Sequence, residues 1–350
     1  MALNAIPLAA MTGIGLSGLP GSRLGHYRLL ERIGAGAYAA VYRAIHEVMG
    51  VERAVKVLRP QAASWPEQPA QFLREARVAA RLRHPNVVAV YDCGTAADGT
   101  PYLVMEYVGG RSLAERLREG VPPPAETLHI ASQLAAALDY AHSLGVVHRD
   151  VKPANVLLSA DGRVGLGDFG IARLGTEPDG DEPGAGLGTP AYMAPEQYRG
   201  QRGRQGPQTD VYALAVVLYE MLTGRTPDGA GGARVGNGPE HDPPPPSAVN
   251  PYLPEAVDGS LAGGLARDPC RRPTSAGALV AQLAAALGEP ALSENRAAAW
   301  PCATVGCEAD RPTSLPPLPR EAPPPSAREV PPSLSRRFAA LIGAGRSRRP

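Results

Sequence analysis

The sequence predicts an α+β fold in which short strands come first and helices follow. Strand-like apolar runs succeed one another over residues 27–108, whereas helical patterns dominate residues 113–288. The length of 350 residues accommodates a two-lobed domain of roughly 250 residues and additional segments. Apolar residues make up 44% of the chain and aromatic residues only 5%, so the core must consist mainly of alanine, valine and leucine.

Charge and cysteine content restrict the function classes. A net charge of +1 gives no electrostatic basis for binding nucleic acid or an anionic membrane. The cysteines form no disulfide framework, and the single C-x4-C pair, Cys302 and Cys307, does not predict a zinc site. No apolar run reaches the roughly 18 residues of a membrane helix, and residues 1–20 lack the basic start of a signal peptide. We therefore expect a cytoplasmic protein with no transmembrane anchor in this chain.

The first strands surround a glycine-containing turn. Residues 1–26 predict a flexible leader, and residues 27–33 form the first strand. Gly34-Ala35-Gly36-Ala37 then predicts a loop whose backbone amides can approach phosphate closely, because glycine has no side chain. A dinucleotide site of the Rossmann type would need a helix after the glycines. Residues 41–45 have a strand pattern instead, which excludes that alternative.

The distribution of lysine is informative. Of 35 cationic residues, only Lys56 and Lys152 are lysines. Lys56 lies in a predicted strand, residues 51–58, and Glu75 lies in a predicted helix, residues 72–82. A compact ammonium group binds phosphate as a point charge that a planar guanidinium replaces poorly. Both lysines are therefore expected to have a chemical role that arginine cannot fill.

Lys152 lies in a loop that carries three kinds of polar group at close spacing. The loop reads His148-Arg149-Asp150-Val151-Lys152-Pro153-Ala154-Asn155, and residues 156–158 begin a buried strand. Pro153 is expected to keep this turn from becoming a helix. A second motif, Asp168-Phe169-Gly170, follows a short strand at residues 163–167. Phosphoryl transfer requires a carboxylate for the attacking hydroxyl, a cation for the phosphate and oxygen ligands for magnesium, and these motifs supply all three.

The motifs and their order resemble those of bacterial Hanks-type serine/threonine protein kinases, also called eukaryotic-like protein kinases, over residues 27–288. The resemblance implies a bilobal fold with a small antiparallel sheet and one key helix (27–105), a hinge (106–110) and a mainly helical lobe (111–288). It also implies phosphorylation of serine and threonine hydroxyls on proteins, including autophosphorylation, in bacterial signalling. ATP and Mg²⁺ would be the cofactors.

The resemblance implies a role for each motif residue. Asp150 would orient the acceptor hydroxyl, and Lys152 would steady the γ-phosphate. Asn155 and Asp168 would hold magnesium, and Lys56, fixed by Glu75, would bind the α- and β-phosphates. Ala39 replaces the third glycine of the family's loop, which puts the position of the loop tip in doubt. The implied nucleotide pocket comprises Ile33, Gly34, Ala35, Gly36, Ala37, Val41, Ala54, Lys56, Met105, Glu106, Val108 and Leu157, with Glu106 and Val108 binding adenine through their backbones.

Further resemblance concerns the substrate side. Thr189 would bond the catalytic Asp and Lys, Glu196 would pair with Arg272, and Asp210 would anchor the catalytic-loop backbone. Arg149 implies a cation that waits for an activation-loop phosphate, yet the hydroxyl residues between Gly170 and Ala194 are only Thr176, Thr189 and Tyr192. The sequence therefore predicts that Thr176 is phosphorylated, or that Asp179, Asp181 or Glu182 partly substitutes for a phosphate.

The sequence leaves open alternatives to a catalytically active protein kinase. Ala39 and the hydroxyl-poor activation loop are compatible with a pseudokinase scaffold that binds nucleotide or partners without phosphotransfer. A small-molecule phosphotransferase on the same fold is disfavoured by the Gly-Thr and Ala-Pro-Glu segments. Residues 289–350 are rich in proline and arginine and predict a disordered tail, or else a docking segment. A homodimer is left open, because back-to-back dimers occur among relatives of this family and no residue here decides the matter.

Overall fold

The structure is a computed structural model that describes residues 20–36, 38–59, 68–169, 190–228 and 243–288, without the side chains of residues 68, 69, 71, 75, 190 and 202. The described residues all belong to one compact unit that spans residues 1–301. The predicted tail, Thr176 and Thr189 lie outside the described residues.

The amino-terminal lobe is built on a six-stranded sheet with the strand order β1-β2-β3-β4-β6-β5. All neighbouring strands are antiparallel, as the family resemblance implies. The strands are β1 (Arg23–Leu24), β2 (Tyr27–Ala35), β3 (Ala39–His46), β4 (Val51–Leu58), β5 (Val90–Thr95) and β6 (Pro101–Glu106).

Strand β1 corrects the predicted start of the domain. Leu24 pairs with Tyr27 and is completely buried in the core of this lobe. The fold therefore begins before residue 27, and the predicted leader, residues 1–26, is several residues too long. A strand of two residues has no alternation for a sequence pattern to detect, which explains the difference.

The single helix of this lobe, α1 (Gln68–Ala79), begins earlier than the predicted helix, residues 72–82. Phe72 and Ala76 pack against Leu58, Val90 and Leu103, so the buried face repeats at the predicted helical spacing. Pro69 lies in the first turn, where a missing N–H costs nothing. The helix ends at Ala79 rather than residue 82, and the next residues form a turn.

The carboxy-terminal lobe combines a small sheet with most of the helices. The sheet has the order β7-β8-β9 and consists of β7 (Gly110–Ser112), β8 (Val156–Ser159) and β9 (Val164–Leu166). The helices are α2 (Leu113–Leu117), α3 (Pro124–Ser143), α4 (Pro195–Tyr198), α5 (Pro207–Thr223), α6 (Pro246–Val249), α7 (Ala256–Gly264) and α8 (Ala276–Ala286).

Helix α5 lies at the centre of this lobe. Its residues are buried almost all round, from Thr209 to Leu222, as expected of a helix without a polar face. Helix α3 packs beside it and ends at Ser143, and Gly145 beyond the cap residue has a φ of 72°, the left-handed conformation that a glycine after a helix adopts at little cost. Each fully buried leucine contributes about 1.5–3 kcal/mol by leaving water. The sheets and helices together form the two-lobed α+β fold predicted from the sequence, and the larger core lies in the second lobe.

Candidate active site

The loop between α3 and β8 carries the acid, the lysine and the amide that the sequence singles out. Pro153 starts one turn of 3-10 helix, Pro153–Asn155, whose last residue immediately precedes β8. The expectation that Pro153 keeps this turn from becoming helical is therefore wrong. Proline is accepted at the first position of a helical turn, and here it ends the extended part of the loop after Lys152.

Asp150 is bracketed by two polar side chains. Lys152 Nζ donates to Asp150 Oδ2 at 2.8 Å, and Asn155 Nδ2 donates to the same oxygen at 3.0 Å. Asn155 Nδ2 also donates to the backbone carbonyl of Asp150 at 2.8 Å. The side chains of Asp150 and Lys152 are about one-fifth exposed, so the group is open to a ligand yet largely shielded from bulk water.

Asp210 on α5 fixes the backbone of this loop by hydrogen bonds. Its carboxylate is completely buried and accepts hydrogen bonds from the backbone N–H of His148 at 2.8 Å and of Arg149 at 2.7 Å. His142 Nε2 lies 2.7 Å from the same carboxylate. A buried carboxylate that accepts several hydrogen bonds fixes the backbone of the residues next to Asp150.

His148 links this loop to the Asp-Phe-Gly segment. Its Nδ1 accepts a hydrogen bond from Asp150 N at 3.2 Å, so Nε2 carries the proton and donates to the carbonyl of Gly167 at 3.0 Å. The ring also packs against Phe169, with centroids 4.5 Å apart. Complete burial lowers the pKa of His148 despite attraction from Asp210, so the ring is neutral.

Asp168 meets the second lysine. Lys56 Nζ on β4 donates to Asp168 Oδ1 at 2.8 Å, and this contact joins the two lobes. Burial raises the pKa of Asp168, but the charge and hydrogen bond of Lys56, together with the more distant charge of Lys152, act against burial, and that pKa lies below its usual value. Asp168 has a φ of 56°, a left-handed conformation that is uncommon without glycine and is concentrated at functional sites. The side chain of Glu75, the expected partner of Lys56, lies outside the described residues.

Asn155 and Asp168 form a donor set that suits magnesium. Because Asn155 Nδ2 is directed at Asp150, the amide oxygen of Asn155 points away from that residue. Gly167 N donates to the carbonyl of Asn155 at 2.9 Å, so a hydrogen bond connects Asn155 with the residue that precedes Asp168. Carboxylate and amide oxygens are the ligands that Mg²⁺ takes from proteins, and the residues present fit that ion.

The residues of the predicted nucleotide pocket lie on adjoining strands. Val41 on β3 pairs with Gly34 on one side and with Lys56 on the other. Ala54 pairs with Met105, and Leu157 pairs with Gly165. Ile33 is 46% exposed, so its side chain is accessible to a ligand. Ala35, Gly36, Glu106 and Val108 are also described, whereas Ala37 is not.

Glu196 and Arg272 form a buried, bidentate ion pair. Arg272 Nη1 and Nη2 donate to the two oxygens of Glu196 at 2.7 and 2.8 Å, and both side chains are at most 1% exposed. Thr209 Oγ1 donates to Glu196, and Arg272 lies over the ring of Tyr212. Breaking such a pair leaves an uncompensated buried charge, so it holds the segment around Glu196 firmly on α5.

Arg149 differs from Glu196 and Arg272, whose charged groups are hydrogen-bonded to each other. Its Nε and Nη1 are buried and have no hydrogen-bond partner among the described residues. Burial lowers the pKa of Arg149, while the charge of Asp210 acts in the opposite direction. The expected partners of Arg149, namely Thr176 or an acidic residue near residue 180, lie outside the described residues.

Three contributors to the site were not predicted from the sequence. His142 bonds Asp210, Thr209 bonds Glu196, and Gln197 Nε2 donates to the carbonyl of Arg149 at 2.9 Å. Each bond joins residues 13 or more positions apart. No local pattern of residues could have indicated these contacts, because they arise only when α3, α4 and α5 pack together.

Comparison with known families agrees with this geometry. A family model for the protein kinase domain matches residues 27–237. The chain belongs to the protein kinase family. That family generally uses ATP and Mg²⁺. The described kinase domain continues past the matched residues through α8.

Similar proteins are bacterial serine/threonine kinases. The chain is 42% identical to serine/threonine-protein kinase PknJ of Mycobacterium tuberculosis over 275 residues, which cover 76% of this chain and 46% of PknJ. It is 37% identical to PrkC of Bacillus subtilis over 282 residues, which cover 79% of this chain and 43% of PrkC. The chain thus spans about half the length of the curated relatives that it matches, at 46% and 43% of the two named here.

Solved structures extend the agreement to the fold. The crystal structure of the Mycobacterium tuberculosis PknI kinase domain aligns with a TM-score of 0.64 at 33% identity, and the alignment covers 77% of this chain and 99% of that domain. Within the described part of the kinase domain, none of the helices combines the length and the apolar character that crossing a bilayer requires.

Proposed function

We propose that this chain is a serine/threonine protein kinase that transfers the γ-phosphoryl group of ATP to hydroxyl groups of proteins. The observation that carries the proposal is the bracketed carboxylate of Asp150. Lys152 lies 2.8 Å from one of its oxygens, and Asn155 lies 3.0 Å from the same oxygen. A scaffold without chemistry has no need to hold an acid, a lysine and an amide at one point.

Each of these groups has a task in the proposed transfer. Asp150 orients the acceptor hydroxyl and receives its proton. The acceptor oxygen then forms a bond to the γ-phosphorus, the bond to the bridging oxygen breaks, and ADP leaves. Lys152 faces the charge of the transferring group, and Asp210 keeps the loop backbone in place without touching the substrate.

The nucleotide side of the proposal rests on Lys56 and the magnesium ligands. Lys56 would turn from Asp168 toward the α- and β-phosphates, with Glu75 as its second partner. Asn155 and Asp168 would hold Mg²⁺, which when bound neutralises charge on the phosphates. The backbones of Glu106 and Val108 would bind adenine.

The proposed acceptors are serine and threonine rather than tyrosine. Support comes from Lys152 at two positions past Asp150 and from the similarity to proteins named serine/threonine-protein kinases. Autophosphorylation and a role in bacterial signalling belong to the same proposal. The homodimer and the cytoplasmic location considered from the sequence stay predictions.

Regulation of the proposed activity centres on Arg149. Two buried guanidinium nitrogens, Nε and Nη1, have no partner among the described residues, which favours binding of an anion close by. A phosphate on Thr176, or the carboxylates of Asp179, Asp181 or Glu182, would supply that anion. Phosphopeptide mapping of the active protein tests this, and a Thr176→Ala variant with unaltered activity would exclude Thr176 as the switch.

The central experiment measures transfer from Mg-ATP labelled in the γ-phosphate to a generic protein acceptor. Asp150→Asn is expected to lower kcat by about 10²- to 10⁴-fold, because the hydroxyl loses its proton acceptor. Asp92→Asn, an exposed acid on β5, is the matched control and should retain full transfer. Full transfer by Asp150→Asn would contradict the role of Asp150. A wild-type protein that binds nucleotide and transfers nothing would instead be the pseudokinase.

A further inference from the structure

The connection between the two lobes is short and has fixed ends. Strand β6 of the first sheet ends at Glu106, and strand β7 of the second sheet begins at Gly110. Residues 107–109 therefore form the covalent linker between the sheets. The setting of this linker determines where the backbones of Glu106 and Val108 lie relative to the cleft.

The side chain of Glu106 makes contacts that the sequence did not predict. Arg163, the residue before β9, donates from Nη2 to Glu106 Oε1 and from Nη1 to the carbonyl of Pro85 at 3.0 Å. Glu106 Oε2 accepts a hydrogen bond from Ala89 N at 3.3 Å, and Glu106 N donates to the carbonyl of Ala89 at 2.8 Å. The two side chains are 23% and 28% exposed, so the pair is shielded on most sides. We call the Glu106–Arg163 ion pair the linker clasp.

The clasp is anchored in the second lobe. Val88 N donates to the carbonyl of Leu166 at 3.0 Å, and Leu166 N donates to the carbonyl of Asn86 at 2.8 Å. Asn86 Nδ2 bonds Gln133 of α3 and the carbonyl of Val164. The segment 85–89 thus lies on β9, and Glu106 is bonded to both the segment and the residue that precedes the strand.

Close packing leaves the linker little room. A Cβ atom on Gly165 of β9 would lie 3.3 Å from Val88 Cγ2 and 3.7 Å from Val108 Cγ2. The linker residue Val108 therefore rests directly on the strand that leads to Asp168. The clasp and this packing together fix the position of the linker on β9.

We infer that the linker clasp sets the affinity for the adenine nucleotide, with Glu106 and Arg163 as positioning residues that hold the linker backbone over β9. This inference rests on the proposed function for the identity of the ligand. Adenine remains bound in the same way before and during phosphoryl transfer. Loss of the clasp should therefore weaken ground-state and transition-state binding equally, which raises KM for ATP and affects kcat less.

Three variants test the inference. Glu106→Gln and Arg163→Met each remove one charge of the clasp, and Glu106→Arg/Arg163→Glu reverses its polarity. We expect each single variant to raise KM for ATP by about three- to tenfold, the range of a partly shielded ion pair. The double variant should recover a substantial part of that loss, although the bonds to Ala89 and Pro85 will not all re-form.

A matched control separates the clasp from general stability. Glu126 pairs with Arg116 at 2.8 Å with 17% and 12% exposure, but both residues lie in the second lobe. Glu126→Gln should leave KM for ATP unchanged. An unchanged KM in Glu106→Gln, an equal rise in Glu126→Gln, or additive losses in the double variant would each overturn the inference.

A second measurement does not depend on catalysis. Amide hydrogen exchange of residues 85–89 and 106–110 should accelerate in Glu106→Gln and Arg163→Met but not in Glu126→Gln. Faster exchange in a protein that transfers no phosphate would support the clasp while the proposed function failed. Unchanged exchange in both clasp variants of an active protein would refute the clasp and leave the proposed function intact.

Discussion

Two lysine–aspartate pairs face the same cleft, and they differ in what holds them. Lys152 and Asp150 lie 2.8 Å apart and are two positions apart in sequence. Lys56 and Asp168 have the same separation but are 112 positions apart and belong to different lobes. The first pair is fixed by its own loop and by Asp210 beneath it. The second exists only while the lobes are correctly placed.

This difference suggests a division of labour in the cleft. In the proposed function, the loop pair would serve the acceptor hydroxyl, where a small error in position costs much of the rate. The interlobe pair would serve the nucleotide, which must enter and leave on every turnover. We therefore expect the substrate side of the cleft to be rigid, because its pair is local in sequence. The nucleotide side is expected to be adjustable, because its pair joins residues that are distant in sequence.

Removing the anchor of the loop pair should have the largest effect. Asp210→Ala leaves the buried N–H groups of His148 and Arg149 without an acceptor, so we expect a loss of about 2–5 kcal/mol in the free energy of unfolding and loss of phosphotransfer. Denaturant unfolding and the labelled-phosphate assay measure both. Asp139 is the matched control, because its carboxylate also accepts two backbone N–H groups, those of Ala276 and Gly277, at 2.9 Å.

Asp139→Ala removes a cap at the start of α8, and we expect it to cost about 1 kcal/mol with activity retained. Equal losses of stability and activity in the two variants would mean that Asp210 is a general structural residue and not the anchor of the loop.

Replacing each lysine should separate the two pairs functionally. Lys152→Met is expected to lower kcat by about 10²- to 10³-fold with little change in the affinity for Mg-ADP, since the charge acts on the transferring group. Lys56→Met is expected to weaken Mg-ADP binding by about tenfold. Isothermal titration and single-turnover kinetics provide the two readouts.

Lys56→Arg serves as the control for charge, and we expect it not to restore nucleotide binding, because the guanidinium is planar and larger. If both methionine variants lost nucleotide affinity to the same extent, the distinction between the pairs would be refuted.

The smallest expected effect is the pH dependence of stability that arises from His148, whose ring bonds the backbone of Asp150 and of Gly167. Burial lowers the pKa of His148, so below the unfolded value near 6.5 the unfolded chain takes up a proton that the folded chain excludes. Stability is therefore retained above about pH 6.5 and declines on acidification, by at most about 1.4 kcal/mol per pH unit for one group. Thermal unfolding between about pH 7.5 and 5.5 measures this slope.

His148→Phe should flatten the slope, although its stability at neutral pH should fall because Asp150 N loses an acceptor. Burial also lowers the pKa of His84, and His84→Asn reports that contribution separately. An unchanged slope in His148→Phe would show that the pKa of His148 is the same in the folded and unfolded states, which would contradict the effect of burial.

The parts of the fold and site that could be predicted from the sequence are those that depend on neighbouring residues in the chain. Strand β4 has the predicted bounds, residues 51–58, and the loop from His148 carries its own spacing of acid, lysine and amide. The ion pair of Glu196 with Arg272 was expected from the family resemblance and is present. Boundaries were less predictable, since Pro69 lies inside α1 and β1 has only two residues.

Contacts between elements distant in sequence could not be predicted from the residues. Nothing around His142 marks it as a partner of Asp210, and Glu106 was expected to act through its backbone alone. Its pairing with Arg163 depends on β6 and β9 meeting at the linker, which only the packed lobes reveal.

The scarcity of lysine makes the cleft open to direct chemical observation. The chain contains two lysines, and both ε-amino groups are engaged by carboxylates of the candidate site. Apart from an α-amino terminus, an amine-acylating reagent therefore has two targets among these 350 residues. The intact mass after brief acylation, with and without nucleotide, would count occupied clefts, so the protein carries a built-in reporter of ligand binding that needs no engineered label.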